Sequence, residues 1–274
     1  MPTRKATIII GNWKMNPISL KEAERLFKSI LLATHYKLHT EVVICPPFLY
    51  LERLKKLLPR RSRATGSKKI SLCAQDAFWQ DVGAYTGEVS PDMLYNAGVK
   101  YVILGHSERR SPPSALSGGG GGETNEIVNK KIKAALKAGL RPVLCVGESA
   151  RDESHSYFNL VKAQLGECLA GVSKNSVAKI AVAYEPIWAI SSTTNRKDAT
   201  SADSREMAIF IRKILTDKFG SEAAKVRIIY GGSANEKNAE DFLKNGGVDG
   251  LLPGRASLDA KKFSQIISIA ESIS

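Results

Sequence analysis

The chain has 274 residues, 43% of them hydrophobic, which is enough to bury the core of one large α/β domain or of two small ones. Its formal net charge of +13 points to an anionic partner, either a polyanion or a small anionic substrate. No apolar run approaches the length of a membrane span and no nucleic-acid-binding module is recognisable, so neither a membrane nor nucleic acid is expected as the primary partner.

The spacing of the basic residues supports this interpretation. Most are scattered at helical intervals, as in Lys130, Lys131, Lys133 and Lys137, a pattern typical of a solvated helix face. The densest basic cluster, at residues 60–69, contains no aromatic side chain on which a base would stack. The positive charge is therefore better explained by solubility and a small anionic substrate.

The cysteines and histidines indicate the compartment and the absence of a metal. Cys45, Cys73, Cys145 and Cys168 are far apart and form no CxxC pair, and three of them lie in or beside apolar runs where buried, reduced thiols are expected. Such thiols suit the reducing cytoplasm, which is the expected location. None of the four histidines belongs to a ligand pair at helical spacing, so no zinc site is expected.

In chain order, short apolar runs recur about every thirty residues, the length of a strand-plus-helix unit. They are predicted to be buried strands, at 7–10, 42–45, 70–74, 101–104, 142–146, 180–183, 227–230 and 250–252. Amphipathic segments lie between them, and the first is preceded by Ser19 and Glu22 at the spacing of a capping box. Helices are predicted at 23–33, from Ser90-Pro91 onward, and at 126–138, 157–169, 203–219, 234–244 and 260–272.

Eight strands alternating with about eight helices predict an α/β fold with an all-parallel sheet, and eight is the number that closes a (β/α)8 barrel. A single barrel domain is expected over residues 1–274. A doubly wound open sheet is the alternative, weakened because no GxGxxG follows the first strand. The low-complexity stretch from Ser111 to Gly122, which ends in the glycine run Gly118 to Gly122, is predicted to be an exposed loop insertion.

Polar residues follow several of the predicted strands. In a (β/α)8 barrel the active site is built at the C-terminal ends of the strands, so these residues are expected to converge. A lysine, a histidine and a glutamate would meet there, beside two glycine-bearing turns whose N–H groups suit an anion. The residues are Asn12 and Lys14 after the first strand, His106 after the fourth, Glu185 after the sixth, Gly232 and Ser233 after the seventh, and Gly254 and Arg255 after the eighth.

These stretches, taken with others in the same order, resemble the triosephosphate isomerase family over nearly the whole chain. Any one of them alone is weak, but jointly they are highly specific. They are GNWKMN (11–16), CPPF (45–48), AQ (74–75), YTGE (85–88), GHSERR (105–110), CVGE (145–148), AYEPIWAI (183–190), YGGS (230–233) and ASL (256–258). The resemblance implies the TIM-barrel fold and a homodimer formed through the loop from Gln75 to Glu88.

The resemblance also implies an activity of glycolysis and gluconeogenesis, the interconversion of dihydroxyacetone phosphate and D-glyceraldehyde 3-phosphate through an enediolate, with no cofactor and no metal. Such a reaction needs a base for a carbon acid and an electrophile for the adjacent carbonyl. By resemblance Glu185 is the base, His106 the electrophile and Lys14 a fixed positive charge. Asn12 would donate a hydrogen bond to the substrate oxygen.

Further residues are implied in supporting positions. Ser107 and Glu108 would begin the helix that keeps the histidine neutral, a property for which this family is itself the established example, and Cys145 would pack beside the site. Contacts with the substrate phosphate are implied for the loops after the seventh and eighth strands and for the lid at 191–200. The phosphate-binding residues are Ser191, Gly232, Ser233, Gly254 and Arg255.

Three departures from the family pattern leave alternatives open. The lid SSTTNRKDAT lacks the usual glycine, Arg255 stands where a second glycine is usual, and the insertion from Ser111 to Gly122 is additional. One alternative is a barrel isomerase whose altered lid has shifted its substrate. The other is a non-catalytic scaffold that binds polyanions, which is disfavoured because binding alone would not require Asn12, Lys14, His106 and Glu185 together.

Overall fold

The computed structural model describes residues 5–34, 38–58, 70–110, 122–190 and 197–273. Eight parallel strands form a closed barrel in sequence order, so the barrel prediction is confirmed and the open-sheet alternative is wrong. Each predicted strand is present to within two residues of its expected bounds. The strands are β1 (Ile8–Asn12), β2 (Glu41–Cys45), β3 (Ile70–Ala74), β4 (Tyr101–Leu104), β5 (Arg141–Val146), β6 (Ala181–Tyr184), β7 (Arg227–Tyr230) and β8 (Gly250–Leu251).

The strands are apolar on both faces because both faces are buried. Ile8 and Ile10 of β1 belong to the cluster that fills the barrel, whereas Ile9 between them packs in the larger cluster between the barrel and its helices. Side chains alternate between faces along a strand, so a strand in this position needs an unbroken apolar run. This is why short hydrophobic runs locate the strands of this chain.

Ten helices surround the barrel in the described parts of the chain. They are α1 (Leu20–Ala33), α2 (Leu51–Leu57), α3 (Pro91–Asn96), α4 (Ser107–Arg110), α5 (Asn125–Lys137), α6 (Tyr157–Cys168), α7 (Lys174–Val177), α8 (Ser201–Phe219), α9 (Ala239–Asn245) and α10 (Ala260–Ile273). Ser19 caps α1, its hydroxyl accepting the N–H of Glu22 at 3.3 Å, which is one of the two bonds of the predicted capping box. None of these described helices is long and apolar enough to cross a membrane.

The helix predicted at 234–244 begins only at Ala239. Asn238 accepts the N–H of Asn235 at 2.8 Å and donates to the carbonyl of Ser233 at 2.9 Å, so its side chain holds this segment in a turn. Asparagine side chains compete with helical backbone bonds in this way. The prediction for Ser111 to Gly122 lies outside the described residues except at Gly122.

The interpretation of Lys131 as part of a solvated face is wrong. Its side chain is only 3% exposed, and its ammonium bonds to Asp76 at 2.8 Å and to Glu123 at 2.6 Å. Arg109 joins the same two carboxylates, at 2.9 Å and 2.6 Å respectively. Burial raises the pKa of the Asp76 carboxyl. Burial also acts to raise the pKa of Glu123, but the charges and hydrogen bonds of Lys131 and Arg109 have the larger effect, so the pKa of Glu123 is lowered. The cluster joins the loop after β3 to α4 and α5.

Contacts of the flanking residues also hold the two ends of the insertion together. The N–H of Glu123 donates to the carbonyl of Arg109 at 2.9 Å. The guanidinium of Arg110 donates to Gly105 and to the side chain of Asn125, both at 2.7 Å. The chain therefore leaves α4 and returns to α5 at nearly the same point.

Candidate active site

The loop after β1 holds Asn12 and Lys14 at the C-terminal mouth of the barrel. Asn12 is buried, and its N–H donates to the carbonyl of Pro253 at 3.0 Å. Its side-chain oxygen accepts the N–H of Lys14, also at 3.0 Å. Lys14 has φ of 51°, a left-handed conformation that costs energy for a residue with a side chain and therefore has to be held in place. The side-chain amide of Gln75 helps to hold this conformation by donating to the carbonyl of Lys14 at 2.7 Å.

His106 and Glu185 face each other across this mouth. Glu185 is 2% exposed and His106 is 8% exposed. The Nε2 atom of His106 lies 3.4 Å from Oε1 of Glu185, and that oxygen has no hydrogen-bond partner among the described residues. The other carboxylate oxygen, Oε2, accepts the backbone N–H of Ser107 at 3.1 Å. One oxygen of a buried acid is thus held while the other faces the histidine.

The hydrogen bonds of His106 define its neutral tautomer. The N–H of Glu108 donates to Nδ1 at 3.2 Å, so Nδ1 carries the lone pair and Nε2 carries the proton. The short helix α4 begins directly after His106, as predicted. A neutral N–H donor therefore points at the carboxylate side of the mouth. The carboxylate of Glu108 also pairs with the ammonium of Lys14.

Close packing surrounds Glu185. A Cβ on Gly231 would lie 2.8 Å from Cγ of Glu185, and a Cβ on Gly147 would lie 1.9 Å from its carbonyl oxygen, so both positions require glycine. Cys145 is buried next to it; burial, and then the nearby charge of Glu185, raise the pKa of this thiol and keep it protonated. The structure thus places Cys145 beside the acid without exposing it as a nucleophile.

A buried acid, Glu148, holds the segment that leads from β6 to the lid. Glu148 Oε1 accepts the hydroxyl of Tyr184 at 2.8 Å, the indole N–H of Trp188 at 2.9 Å and the guanidinium of Arg151 at 3.2 Å. Its backbone carbonyl also accepts the N–H of Ile187 at 2.9 Å. Glu148 belongs to the matching stretch CVGE, but its role as a common acceptor could not be predicted, because Tyr184 and Trp188 are distant from it in sequence.

The loops after β7 and β8 line a pocket of about 440 Å³ next to this site. Gly232, Ser233, Gly254 and Arg255 all contribute to its wall. A Cβ on Gly232 would lie 2.2 Å from the hydroxyl of Tyr230, which explains the glycine there. The hydroxyl of Ser233 donates to the carbonyl of Ala189 at 2.7 Å and so joins this wall to the base of the lid.

The structure therefore brings together almost all of the predicted site residues. The site residues form two neighbouring groups, one at the mouth of the barrel and one in the pocket. Of the predicted site residues, only Ser191 lies outside the described residues. No group of three or more His, Cys, Asp or Glu side chains in the described chain is arranged to hold a metal ion. The mouth group is Asn12, Lys14, His106, Ser107, Glu108, Cys145 and Glu185, and the pocket group is Gly232, Ser233, Gly254 and Arg255.

Comparison with known proteins identifies this arrangement. Residues 7–270 match the family model described as Triosephosphate isomerase. The chain belongs to the triosephosphate isomerase family. It is 41% identical over 263 residues to the triosephosphate isomerase of Alkaliphilus oremlandii, covering 95% of this chain and 98% of that one. The corresponding enzyme of Aquifex aeolicus is 40% identical over 261 residues, with coverage of 95% and 98%.

A solved structure agrees with these matches. The crystal structure of triosephosphate isomerase from Bartonella henselae superposes with a TM-score of 0.76 at 35% identity, covering 96% of this chain and 98% of that one. As a triosephosphate isomerase family member the chain is an isomerase, a glycolytic enzyme whose substrate is a triose phosphate. This argues against the scaffold alternative.

Proposed function

We propose that the chain interconverts dihydroxyacetone phosphate and D-glyceraldehyde 3-phosphate by moving a proton between adjacent carbons through an enediolate. Glu185 acts as the base and His106 as the electrophile. The observation that carries the proposal is the pair they form, a buried carboxylate with an uncommitted oxygen 3.4 Å from the histidine N–H. A buried carboxylate with one oxygen unbonded can approach a substrate carbon directly, which is the geometry that a general base requires.

The proton and charge balance follows from these two groups. Glu185 removes a proton from the hydroxymethyl carbon of dihydroxyacetone phosphate, and the electron pair becomes the carbon–carbon double bond while the carbonyl oxygen becomes negative. The Nε2–H of His106 donates to that oxygen. His106 gives its Nε2 proton to that oxygen and takes the hydroxyl proton from the oxygen on the first carbon, so the negative charge moves to the other end of the enediolate. The protonated Glu185 then returns its proton to the neighbouring carbon as the aldehyde forms, which leaves both groups of the enzyme unchanged after each turnover.

Lys14 and Asn12 stabilise the developing negative charge. The Lys14 ammonium is paired with Glu108 at the mouth, so its charge is held close to His106 without a hydrogen bond to Glu185. Asn12 is fixed by its backbone bond to Pro253 and by the bond that its side-chain oxygen accepts from the N–H of Lys14, and its amide N–H₂ group is the proposed donor to the oxyanion. Preorganised donors of this kind stabilise an oxyanion without reorganising during the reaction.

The substrate phosphate binds to backbone N–H groups in the pocket beside this mouth. These groups belong to Gly232, Ser233, Gly254 and Arg255, whose loops meet there. The loops after the seventh and eighth strands are the usual phosphate site of this fold. Ser191 at the start of the lid completes the contact when the lid closes, and the hydroxyl of Ser233 is already bonded to Ala189 at the lid base.

A homodimer in the cytoplasm is part of the proposal. Exposed apolar side chains cluster on the loops after three consecutive strands, with Met15 and Ile18 after β1, Leu49 after β2, and Val82 and Tyr85 after β3. A patch of this kind on neighbouring loops is typical of a surface covered by a partner. The loop from Gln75 to Glu88 of each protomer would pack against the partner's loop after β1 and support Asn12 and Lys14.

A coupled assay with each triose phosphate tests the function directly. Turnover in both directions is expected without added metal or cofactor, and it is expected to persist in the presence of EDTA. Correctly folded protein with no turnover would reject the proposal. Turnover of a different aldose–ketose pair, with neither triose phosphate converted, would favour the alternative of a shifted substrate.

A further inference from the structure

The pocket next to the mouth is larger than a single phosphate requires. At roughly 30 Å³ per heavy atom, the share of volume that a water molecule takes in the liquid, a phosphate group fills about 150 Å³. The pocket measures about 440 Å³. More than half of it would stay empty with the substrate phosphate bound.

The additional volume lies on the side away from the catalytic residues. Gly254 marks the inner side, since a Cβ there would lie 3.5 Å from Cε of Lys14. From Gly232 and Gly254 the lining continues along the loop after β7 to Lys237 and across the start of α10 to Lys262. The triose carbons must run inward from the phosphate to reach Glu185. A ligand group in the outer half would therefore be attached to phosphorus, not to the carbon chain.

The charges that line the outer half favour an anion. Three basic side chains, those of Lys237, Arg255 and Lys262, line it together with two acids. One of the acids, Asp259, already accepts the backbone N–H groups of residues 261 and 262, at 2.9 Å and 3.1 Å. The other, Glu236, lies 3.9 Å from the ammonium of Lys262, beyond hydrogen-bond distance.

Lys237 adds a charge that no acid neutralises. Within the described ranges no carboxylate lies within ion-pair distance of its ammonium. Arg255 is exposed and lines the pocket, and its backbone N–H group belongs to the proposed phosphate site. Planar guanidinium groups bind phosphate oxygens bidentately, which glycine at this position would not do.

We infer that the outer half of this pocket is a second anion subsite, and that the site binds a diphosphate group more tightly than a single phosphate. The inference rests on the proposed phosphate role of the backbone N–H groups. The inner phosphoryl group of a diphosphate occupies the substrate phosphate position, and the outer one meets Arg255, Lys237 and Lys262. Small molecules with a terminal diphosphate, of which inorganic diphosphate is the simplest, are therefore competitive inhibitors of the isomerase.

The test compares inorganic diphosphate with inorganic phosphate as inhibitors, with EDTA present and at low, matched ionic strength. Wild-type protein is expected to bind diphosphate at least about tenfold more tightly. Because diphosphate carries more charge than phosphate, any positive surface would favour it to some extent. The decisive quantity is the change in the ratio of the two inhibition constants on substitution.

Lys237→Gln and Lys262→Gln are each expected to raise the inhibition constant for diphosphate about two- to fivefold, the range for exposed charge pairs. The inhibition constant for phosphate should change less. Arg255→Gly is expected to raise the diphosphate constant about tenfold, because a bidentate contact is lost. Glu236→Gln should act in the opposite direction and lower the diphosphate constant. Lys261→Gln, an exposed neighbour that does not line the pocket, is the matched control and should leave the ratio unchanged.

Equal constants for the two anions in wild-type protein, or a ratio that Lys261→Gln alters as much as the pocket variants, would overturn the subsite. Titration calorimetry with the same two anions measures the ratio without turnover. Absence of catalysis with preserved diphosphate selectivity would therefore reject the proposed function and leave the subsite standing. Catalysis without diphosphate selectivity would reject the subsite and leave the proposed function standing.

Discussion

The backbone N–H of Ser107 donates to Oε2 of Glu185 at 3.1 Å, and Ser107 directly follows His106 in the chain. The proposed base and the proposed electrophile are therefore positioned by two consecutive residues at the start of α4. A shift of this helix end moves both groups together, which preserves their separation. The Ser107 bond holds the carboxylate at one oxygen only, so the other oxygen remains available to a substrate carbon.

Glu185→Gln is expected to lower kcat/KM about 10²- to 10⁴-fold, because an amide of the same shape is not a base. Exchange of the carbon-bound substrate proton with deuterium from D₂O should fall in parallel, since both depend on the same proton transfer. The inhibition constant for inorganic phosphate serves as the control and should stay within twofold. A kcat/KM within tenfold of wild type would show that another group is the base.

Glu148→Gln is expected to destabilise the protein and to impair the lid. A glutamine lacks the negative charge to which Tyr184, Trp188 and Arg151 all donate at one oxygen, and removing one partner of a buried charge pair costs about 3–5 kcal/mol. Chemical denaturation measures the free energy of unfolding, and steady-state kinetics measure the effect on kcat and KM. Glu206→Gln is the matched control, because Glu206 contacts Arg151 from an exposed position and should cost less than about 1 kcal/mol. Equal losses for the two variants would contradict the role of Glu148.

Stability is expected to depend on Glu41 in acid. Burial on its own would raise the pKa of this carboxyl, but hydrogen bonds and charges from Lys100 and Arg227 lower it from 4.5 to about 2. A carboxyl with a lower pKa in the folded state stabilises that state above pH 4.5. This contribution, about 3 kcal/mol for such a shift, is lost as the pH falls from 4.5 to about 2.

Glu41→Gln should therefore lower the free energy of unfolding at neutral pH, and the difference from wild type should shrink steadily below pH 4.5. Denaturant titrations at fixed protein concentration measure this difference. Glu52→Gln alters an exposed acid paired with Lys56 and should show no comparable pH dependence. A difference that stays constant down to pH 2.5 would mean that Glu41 does not titrate as stated.

Val82→Lys is expected to convert the proposed homodimer into monomers. Val82 is 86% exposed in the single chain, so a lysine costs the protomer little by itself, but burial of that charge against a partner would be expensive. Sedimentation velocity measures the change in mass. Leu32→Lys, at an 87% exposed position on α1 away from the loops after β1 to β3, should leave the dimer intact. A dimer that persists in the Val82 variant would place the interface elsewhere.

Replacing residues 111–122 with a four-residue glycine–serine linker is expected to leave kcat/KM within about threefold of wild type. The contacts of Arg109 with Glu123 and of Arg110 with Asn125 join the two ends of this segment without using any residue inside it. Glu123→Ala in the full-length chain is the comparison, and it should be destabilised because Lys131 and Arg109 each lose a partner. Loss of activity in the shortened but folded protein would show that the segment itself contributes to catalysis.

The sequence predicted the barrel well because its strands are buried on both faces. Runs such as Ile8 to Ile10 are unbroken by polar residues for this reason, and the rule that active sites lie at strand ends then selected Asn12, Lys14, His106 and Glu185. Their convergence depends only on the topology of a closed barrel. The resemblance implied a neutral His106 but not which ring nitrogen carries the proton, which follows from the bond that Glu108 donates to Nδ1.

Other features depended on partners far away in the chain. Lys131 has the sequence spacing of a solvated lysine, but its ammonium is buried because Asp76 and Glu123 form ion pairs with it in the folded chain. The start of α9 is displaced because Asn238 bonds locally to the preceding loop, which hydrophobic periodicity does not report. The size of the pocket beyond Gly254 depends on the distance between two loops, and no local pattern encodes that distance.

The joined ends of the insertion have an evolutionary consequence. Because Arg109 and Glu123 meet directly, additional residues between them lengthen the chain without separating α4 from α5. If the shortened protein keeps its activity, as expected, the length of this interval can change at low cost in loop-closure entropy and with little selection from catalysis. The position is therefore a natural point at which to insert a peptide or a small domain into this enzyme, since the join between the two helices would transmit little of the change to His106.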